Sequence, residues 1–129
     1  MADGKTKLTI EGRIARTRDK FEAMARDDFD KELEGYAEDC VWHSQRRGSD
    51  FRGKAAIRAE GLKQSDEFKS TMKLHDVCAS NDHVVALFDV IPAAGEMAAA
   101  YPTVRLIQVA HVNDEAKITE MWSIYPPPA

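Results

Sequence analysis

Side chains able to move a proton near neutral pH are few in this sequence, with four histidines, at positions 43, 75, 83 and 111. An imidazole titrates close to neutrality, which suits general acid–base work. His43 sits inside YAEDCVWHSQRRGSDFRGKAAI, residues 36–57, directly after the short apolar burst Cys40-Val41-Trp42. Either this is the rim of a ligand pocket or an ordinary strand with an exposed histidine. Alternation along a strand sends Trp42 and Ser44 to one face and His43 to the other. His75 lies in Lys73-Leu74-His75-Asp76. A His75-Asp76 dyad is disfavoured, since neighbours on a strand point to opposite faces. His83, in a turn, and His111, on an outer strand face, read as exposed to solvent.

Asp89 interrupts the apolar run Val84-Val85-Ala86-Leu87-Phe88-Asp89-Val90-Ile91. Buried and unpaired, a carboxylate there would have a raised pKa and could act as general acid or base. Alternation instead points Phe88 and Val90 inward and Asp89 outward, toward solvent or toward Arg105 on a neighbouring strand. Trp42, Phe21, Phe88, Leu106, Met121 and Tyr125 suit either the lining of an apolar cavity or a plain core. The Tyr125 phenol could donate a hydrogen bond to a ligand. Arg46, Arg47 and Arg52 fall in or beside a polar loop, either greeting an anionic substrate or simply solvated.

The elements that must position these groups follow from hydrophobic period and turn residues. Ile10, Ile14, Phe21 and Met24 recur at helical spacing and predict a helix over 10–26. Asp27-Asp28 breaks it and can cap a second helix over 28–37, with Phe29, Leu33, Tyr36 and Ala37 on one stripe. Residues 40–44 read as a short strand, 45–50 as a polar loop, and Phe51-Arg52-Gly53 as its closure against the sheet. A third helix covers 54–65. The pattern then changes to alternation: strands over 69–79, 83–92, 103–112 and 117–125, with turns at Ser80-Asn81-Asp82 and Asn113-Asp114-Glu115. Residues 93–100, AAGEMAAA, read as a loop or a wide hairpin end. Residues 1–9 and 126–129 read as loose tails. Helices followed by a run of strands predict an α+β fold, with helices packed on one face of a curved antiparallel sheet. The strands 84–91 and 103–112 are apolar on both faces, so the outer face calls for a second copy of the chain packed against it.

The totals narrow the classes. The 129 residues fit a single domain, able to bury about two thirds of its unfolded surface. A net charge of -4 gives no overall attraction to nucleic acid or anionic lipid. No apolar run reaches the roughly 20 residues of a membrane span, and the N-terminus lacks the apolar centre of a secretion signal. The chain therefore reads as cytoplasmic. Cys40 and Cys78 read as reduced thiols in that setting. There is no Cys-x-x-Cys, no His-Glu-x-x-His, no Gly-rich phosphate loop and no Gly-x-Ser-x-Gly. No metal and no cofactor is expected, so side chains alone must do the chemistry.

Three stretches carry a resemblance: YAEDCVWH at 36–43, FRGKAAI at 51–57 and VNDEAKITEMWSIY at 112–125. Over about residues 13–125 the chain resembles the nuclear transport factor 2-like superfamily, in its SnoaL-like and ketosteroid isomerase-like branch. The resemblance implies a cone: a bent sheet wrapped around helices, with an apolar cavity open at one end. It implies isomerase, dehydratase or polyketide-cyclase chemistry on a small apolar carbonyl compound, without cofactor, or else a non-catalytic ligand-binding or dimerisation domain. Ketosteroid isomerase works with an Asp base beside a Tyr and a protonated Asp. Transferred by position, the base falls on Ser44, the oxyanion Asp on Gln108, and the Tyr on or beside Lys20. None of the three residue types matches. Ser44 needs a partner before it can act as a base, whereas Gln108 can still donate a hydrogen bond to a carbonyl oxygen. Aligned with the family, His75 shares a face with Thr71 and Lys73. Either that face is the pocket, or it is solvent and Met72 and Leu74 are core. The proton then falls to His75 or His43, with Gln108 and Tyr125 holding the substrate.

Overall fold

The computed structural model describes residues 9–26, 28–44, 49–68, 71–91 and 104–124. Its elements run α1 (Ile10–Ala25), α2 (Phe29–Leu33), β1 (Tyr36–Ser44), β2 (Ser49–Arg52), α3 (Lys54–Phe68), β3 (Thr71–Ala79), β4 (His83–Ile91), β5 (Val104–Val112) and β6 (Ile118–Ile124). The six strands form one curved, unclosed sheet in the order β2-β1-β6-β5-β4-β3. All neighbours are antiparallel except β1 and β6, which run parallel. The α+β architecture with three helices therefore stands as the sequence predicts. Tyr125, the Arg46-Arg47 loop, residues 93–100, residues 1–8 and 126–129 lie outside the described residues.

Local chemistry sets the element ends. Thr9 caps α1: its Oγ1 accepts from Gly12 N at 3.0 Å, satisfying one of the helix's orphan donors. Asp28 caps α2 by accepting from Lys31 N at 3.2 Å. Gly53 enters α3 with φ +87°, a conformation that costs a residue with a Cβ roughly 1–2 kcal/mol. The turn from β5 to β6 is held by Asn113, whose Oδ1 accepts from Glu115 N at 2.9 Å and Lys117 N at 3.0 Å.

Two departures from the predicted elements share a cause. The second helix stops at Leu33 and β1 begins at Tyr36, earlier than expected. Tyr36 and Ala37 continue the helical stripe of Phe29 and Leu33, so period alone cannot place the boundary. The pairing of β1 with β6 also shifts register between Tyr36 and Val41, leaving Glu38 and Asp39 both exposed. Such a bulge hides strand alternation. A second bulge lies between Leu74 and Asp76 of β3. There His75 and Asp76 are both exposed rather than facing opposite ways.

Three apolar clusters fill the concave side. Phe21 of α1 packs on Ala86, Phe88, Val90 and Leu106, with the Phe21 and Phe88 rings 4.6 Å apart. Leu33, Tyr36, Cys40, Trp42, Ile57, Ala110 and Met121 form the second cluster, and Val77, Val84 and Val112 the third. Cys40 is buried and Cys78 exposed, and both are free thiols. Among the described residues, no helix is long and apolar enough to cross a membrane.

Candidate functional site

A cavity of about 340 Å³ opens between α1, α2 and the inner face of β4 and β5, within the usual size of small-molecule sites. It exists because two wall positions are small. Ala86 and Ala110 stand on the inner face in register with Gln108 and Val84, and leave space where larger side chains would meet α1. Helix α1 supplies Arg13, Arg16, Thr17 and Lys20, spaced so that all four share one helix face. The end of α2 supplies Glu32.

At one end of the cavity four polar groups converge. Lys20 Nζ donates to Gln108 Oε1 at 2.6 Å and approaches Met121 Sδ at 3.6 Å. The Tyr36 hydroxyl donates to Glu32 Oε2 at 2.9 Å and also lies 3.6 Å from Met121 Sδ. The Lys20 ammonium further sits 5.3 Å from the Tyr36 ring centroid, a cation–π distance. Gln108 is only 6% exposed. With its oxygen occupied by Lys20, its NH₂ end is the donor left for a ligand.

Burial reshapes the acid–base behaviour of this group. Desolvation drives the Lys20 amine down to about 8, and the nearby Glu32 carboxylate only partly restores it. Desolvation pushes Glu32 up, opposed by Lys20 and by the Tyr36 hydrogen bond. Tyr36 is held far above its ordinary range by burial and by Glu32, so its proton stays on. With its amine at about 8, Lys20 is mostly an ammonium near neutral pH, while burial makes the Glu32 carboxyl more basic than an ordinary one. Groups whose pKa values burial shifts in this way, beside a cavity, make it the candidate site.

The structure separates the sequence candidates into three places. Gln108 and Lys20 line the cavity, and Met121 touches Lys20 from behind. Phe21, Phe88 and Leu106 are core side chains. Trp42 is core too, its Nε1 donating to Ser123 Oγ at 2.9 Å. Ser44 is buried on the same face, and its Oγ has no hydrogen-bond partner. The third group faces away from the cavity. His43 lies between two carboxylates, Asp50 Oδ1 at 2.7 Å and Glu120 Oε2 at 2.6 Å, and stacks on Trp122. Donating first to Asp50 and then to Glu120 raises its pKa. His75 is exposed, while Met72 and Leu74 pack on the core. Asp89 is engaged by Arg105 through two bonds, at 2.8 and 3.1 Å, and its pKa is lowered by that partner. The proton-transfer roles expected of His43, His75 and Asp89 therefore have no geometry at this cavity, because strand alternation and the β3 bulge turn all three outward.

Glu32, Tyr36 and Arg13 are the residues that sequence reasoning passes over. A glutamate four positions before a tyrosine on a short helix reads as a solvated face. Only the packing of α2 against α1 and α3 shows it buried. Among the described residues, no group of three or more His, Cys, Asp or Glu is placed to hold a metal ion.

A family model described as a SnoaL-like domain matches residues 17–121. Among solved structures, the chain is similar to a protein of unknown function with a cystatin-like fold from Methylobium petroleophilum PM1. They share 13% identity and a TM-score of 0.79, over 95% of this chain and 81% of that one. It is also similar to a candidate ketosteroid isomerase from Kribbella flavida, at 13% identity and TM-score 0.70, covering 92% and 80% of the two chains. A candidate polyketide cyclase from Sinorhizobium meliloti matches at 16% identity and TM-score 0.72, covering 84% and 93%. At these identities the likeness is one of fold. No protein with a curated description matches the chain.

Proposed function

The chain belongs to the SnoaL-like domain family, and from that premise we propose that it is a cofactor-independent enzyme of isomerase, dehydratase or cyclase type, acting on a small carbonyl compound with an apolar body. The observation that carries this reading is the Lys20–Gln108 pair and Glu32 lining one cavity, with the buried Tyr36 hydroxyl bonded to Glu32. Lys20 and Gln108 occupy the positions where the family resemblance puts the oxyanion donors. The base is then Glu32 rather than a histidine.

The chemistry balances as follows. Glu32 takes a proton from the carbon next to the carbonyl. The C–H electrons form the new C=C bond, and the carbonyl π electrons move onto oxygen. The Lys20 ammonium and the Gln108 NH₂ meet that developing charge, the kind of preorganised stabilisation that usually dominates such reactions. Tyr36 keeps Glu32 oriented without giving up its own proton. Where the substrate has a β,γ double bond, the dienolate takes the proton back from Glu32 at the γ carbon; where it has a β leaving group, the enolate re-forms the carbonyl and the departing group takes the proton; where a second carbonyl lies in reach, the enolate carbon attacks it and its oxygen takes the proton. These three fates correspond to the three reaction types.

Solvent exchange tests the first step without knowing the natural substrate. The straight-chain methyl-ketone acid of eight carbons, mixed with protein in deuterated buffer, should lose its α-proton signals in the NMR spectrum. Gln108→Leu should slow that exchange on the order of a hundredfold, the typical cost of one oxyanion donor. The same change strands Lys20 without its acceptor, so a modest fall in melting temperature should accompany it. Binding of the ketone acid with no exchange above the buffer rate would instead mark a ligand-binding domain.

The proposal extends to assembly. Leu87, Ile107 and Ile124 stand side by side across three strands on the outer sheet face. Ile107 is 38% and Ile124 44% exposed. Val85, Val109 and Trp122 form a parallel row beside them. A second copy of the chain covering this face would withdraw a contiguous apolar patch from water. Light scattering at micromolar concentration should give about twice the 14.4 kDa chain mass. A monomer under those conditions would sink this part of the reading.

A further inference from the structure

Toward its other end the cavity holds a buried guanidinium that is only partly hydrogen-bonded among the described residues. Arg13 lines the cavity and is only 3% exposed. Its Nε and Nη1 are buried with no hydrogen-bond partner. A guanidinium cannot discard its proton near neutral pH, so burial without a partner is expensive. Two other basic groups of the lining are engaged: Arg16 Nη1 donates to Ala116 O at 2.7 Å, and Lys117 Nζ to Glu34 O at 2.7 Å. Five basic and three acidic side chains line the cavity, although the whole chain carries a net charge of -4. The positive excess inside an acidic protein points to an anion.

We propose that Arg13 binds the carboxylate of the substrate, which makes the substrate class an oxo acid: a carbonyl at one end, a carboxylate at the other, and an apolar chain between. This rests on the reaction reading above and specifies its substrate. The spacing follows from α1. Arg13 and Lys20 are seven residues apart on one helix face, about 10 Å along the axis. On the sheet side the lining is mostly apolar, with Val84, Ala86 and Ala110. A spacer of several methylene groups matches that stretch. One guanidinium matches one negative charge, which favours a carboxylate over a dianionic phosphate ester. Arg13 is thus a specificity residue, binding the end of the molecule remote from the reacting carbon.

Calorimetric titration of the full chain with the eight-carbon ketone acid and with its methyl ester tests this. Wild-type protein should bind the acid at least tenfold more tightly than the ester. Arg13→Met, close in length and compatible with the valine neighbours, should bring the acid down to the affinity of the ester while leaving the ester unchanged. Arg13→Lys should retain part of the preference. Equal affinity for acid and ester in the wild type overturns the proposal. So does a preference that survives Arg13→Met, or no binding of the acid up to millimolar concentration. The reaction reading fails separately. Exchange of both acid and ester without preference removes Arg13 from substrate selection and keeps the chemistry. Tight, Arg13-dependent binding of the acid without α-proton exchange does the reverse.

Discussion

Lys20→Met is expected to yield a protein that folds more stably than the wild type and has lost nearly all α-proton exchange. The two effects share one cause. The pocket holds the Lys20 amine at about 8 against its ordinary 10.5, a destabilisation of the ammonium worth roughly 3 kcal/mol at most. Lys20 keeps partial contact with the cavity and accepts company from Gln108 and Glu32, so about 1–2 kcal/mol is the realistic gain on removing it. The sign follows from linkage. The folded state binds this proton more weakly than the unfolded one, so its penalty is present below about pH 8 and fades as pH rises toward 10.5. The stability difference between mutant and wild type should shrink over that window. The rate loss should reach roughly 10³-fold, since a buried ammonium at the developing oxyanion is a stronger stabiliser than a neutral donor. Chemical denaturation at two pH values and the exchange assay measure both. A mutant that is less stable and still active would place Lys20 in a purely structural role.

Glu32→Gln should lower exchange by about 10²–10⁴-fold, the range for loss of a positioned general base. The amide is nearly the same shape and its oxygen can still accept from Tyr36, so the melting temperature should move little. Lys20 loses its nearest negative neighbour, which should lower the amine pKa further. A Glu32→Gln protein with wild-type exchange would exclude Glu32 as the base. Tyr36→Phe offers a contrast. It should cost less, because Tyr36 orients Glu32 and does not itself touch the reacting atoms.

How far the sequence reaches is clearest at particular residues. Helix α1 and strands β4 and β5 are legible because their apolar side chains keep their period, and β3 is legible despite its bulge because the alternation holds on either side of it. The short strand β2 was harder to read. Its four residues are pinned by pairing with β1, a non-local contact that carries no local pattern. β1 itself was read too short, because its bulge places Glu38 and Asp39 both outside. At the site, Gln108 and Lys20 could be located by family position. Glu32 and Arg13 could not. A charged residue on an amphipathic helix is solvated far more often than buried, and only the small wall residues Ala86 and Ala110 reveal that a cavity waits opposite. The histidines have chemistry that suits neutral pH, but His43 and His75 stand at strand positions that face away from that cavity.

The most direct test of the account is the pH dependence of α-proton exchange in the wild-type protein. The mechanism needs Glu32 as carboxylate and Lys20 as ammonium at once. The rate should therefore be bell-shaped, with an acid limb above the ordinary carboxylate range and an alkaline limb near 8. Glu32→Gln should erase the acid limb from whatever exchange remains. A rate that climbs through pH 8 would contradict the account, because it would make the neutral Lys20 amine the active form.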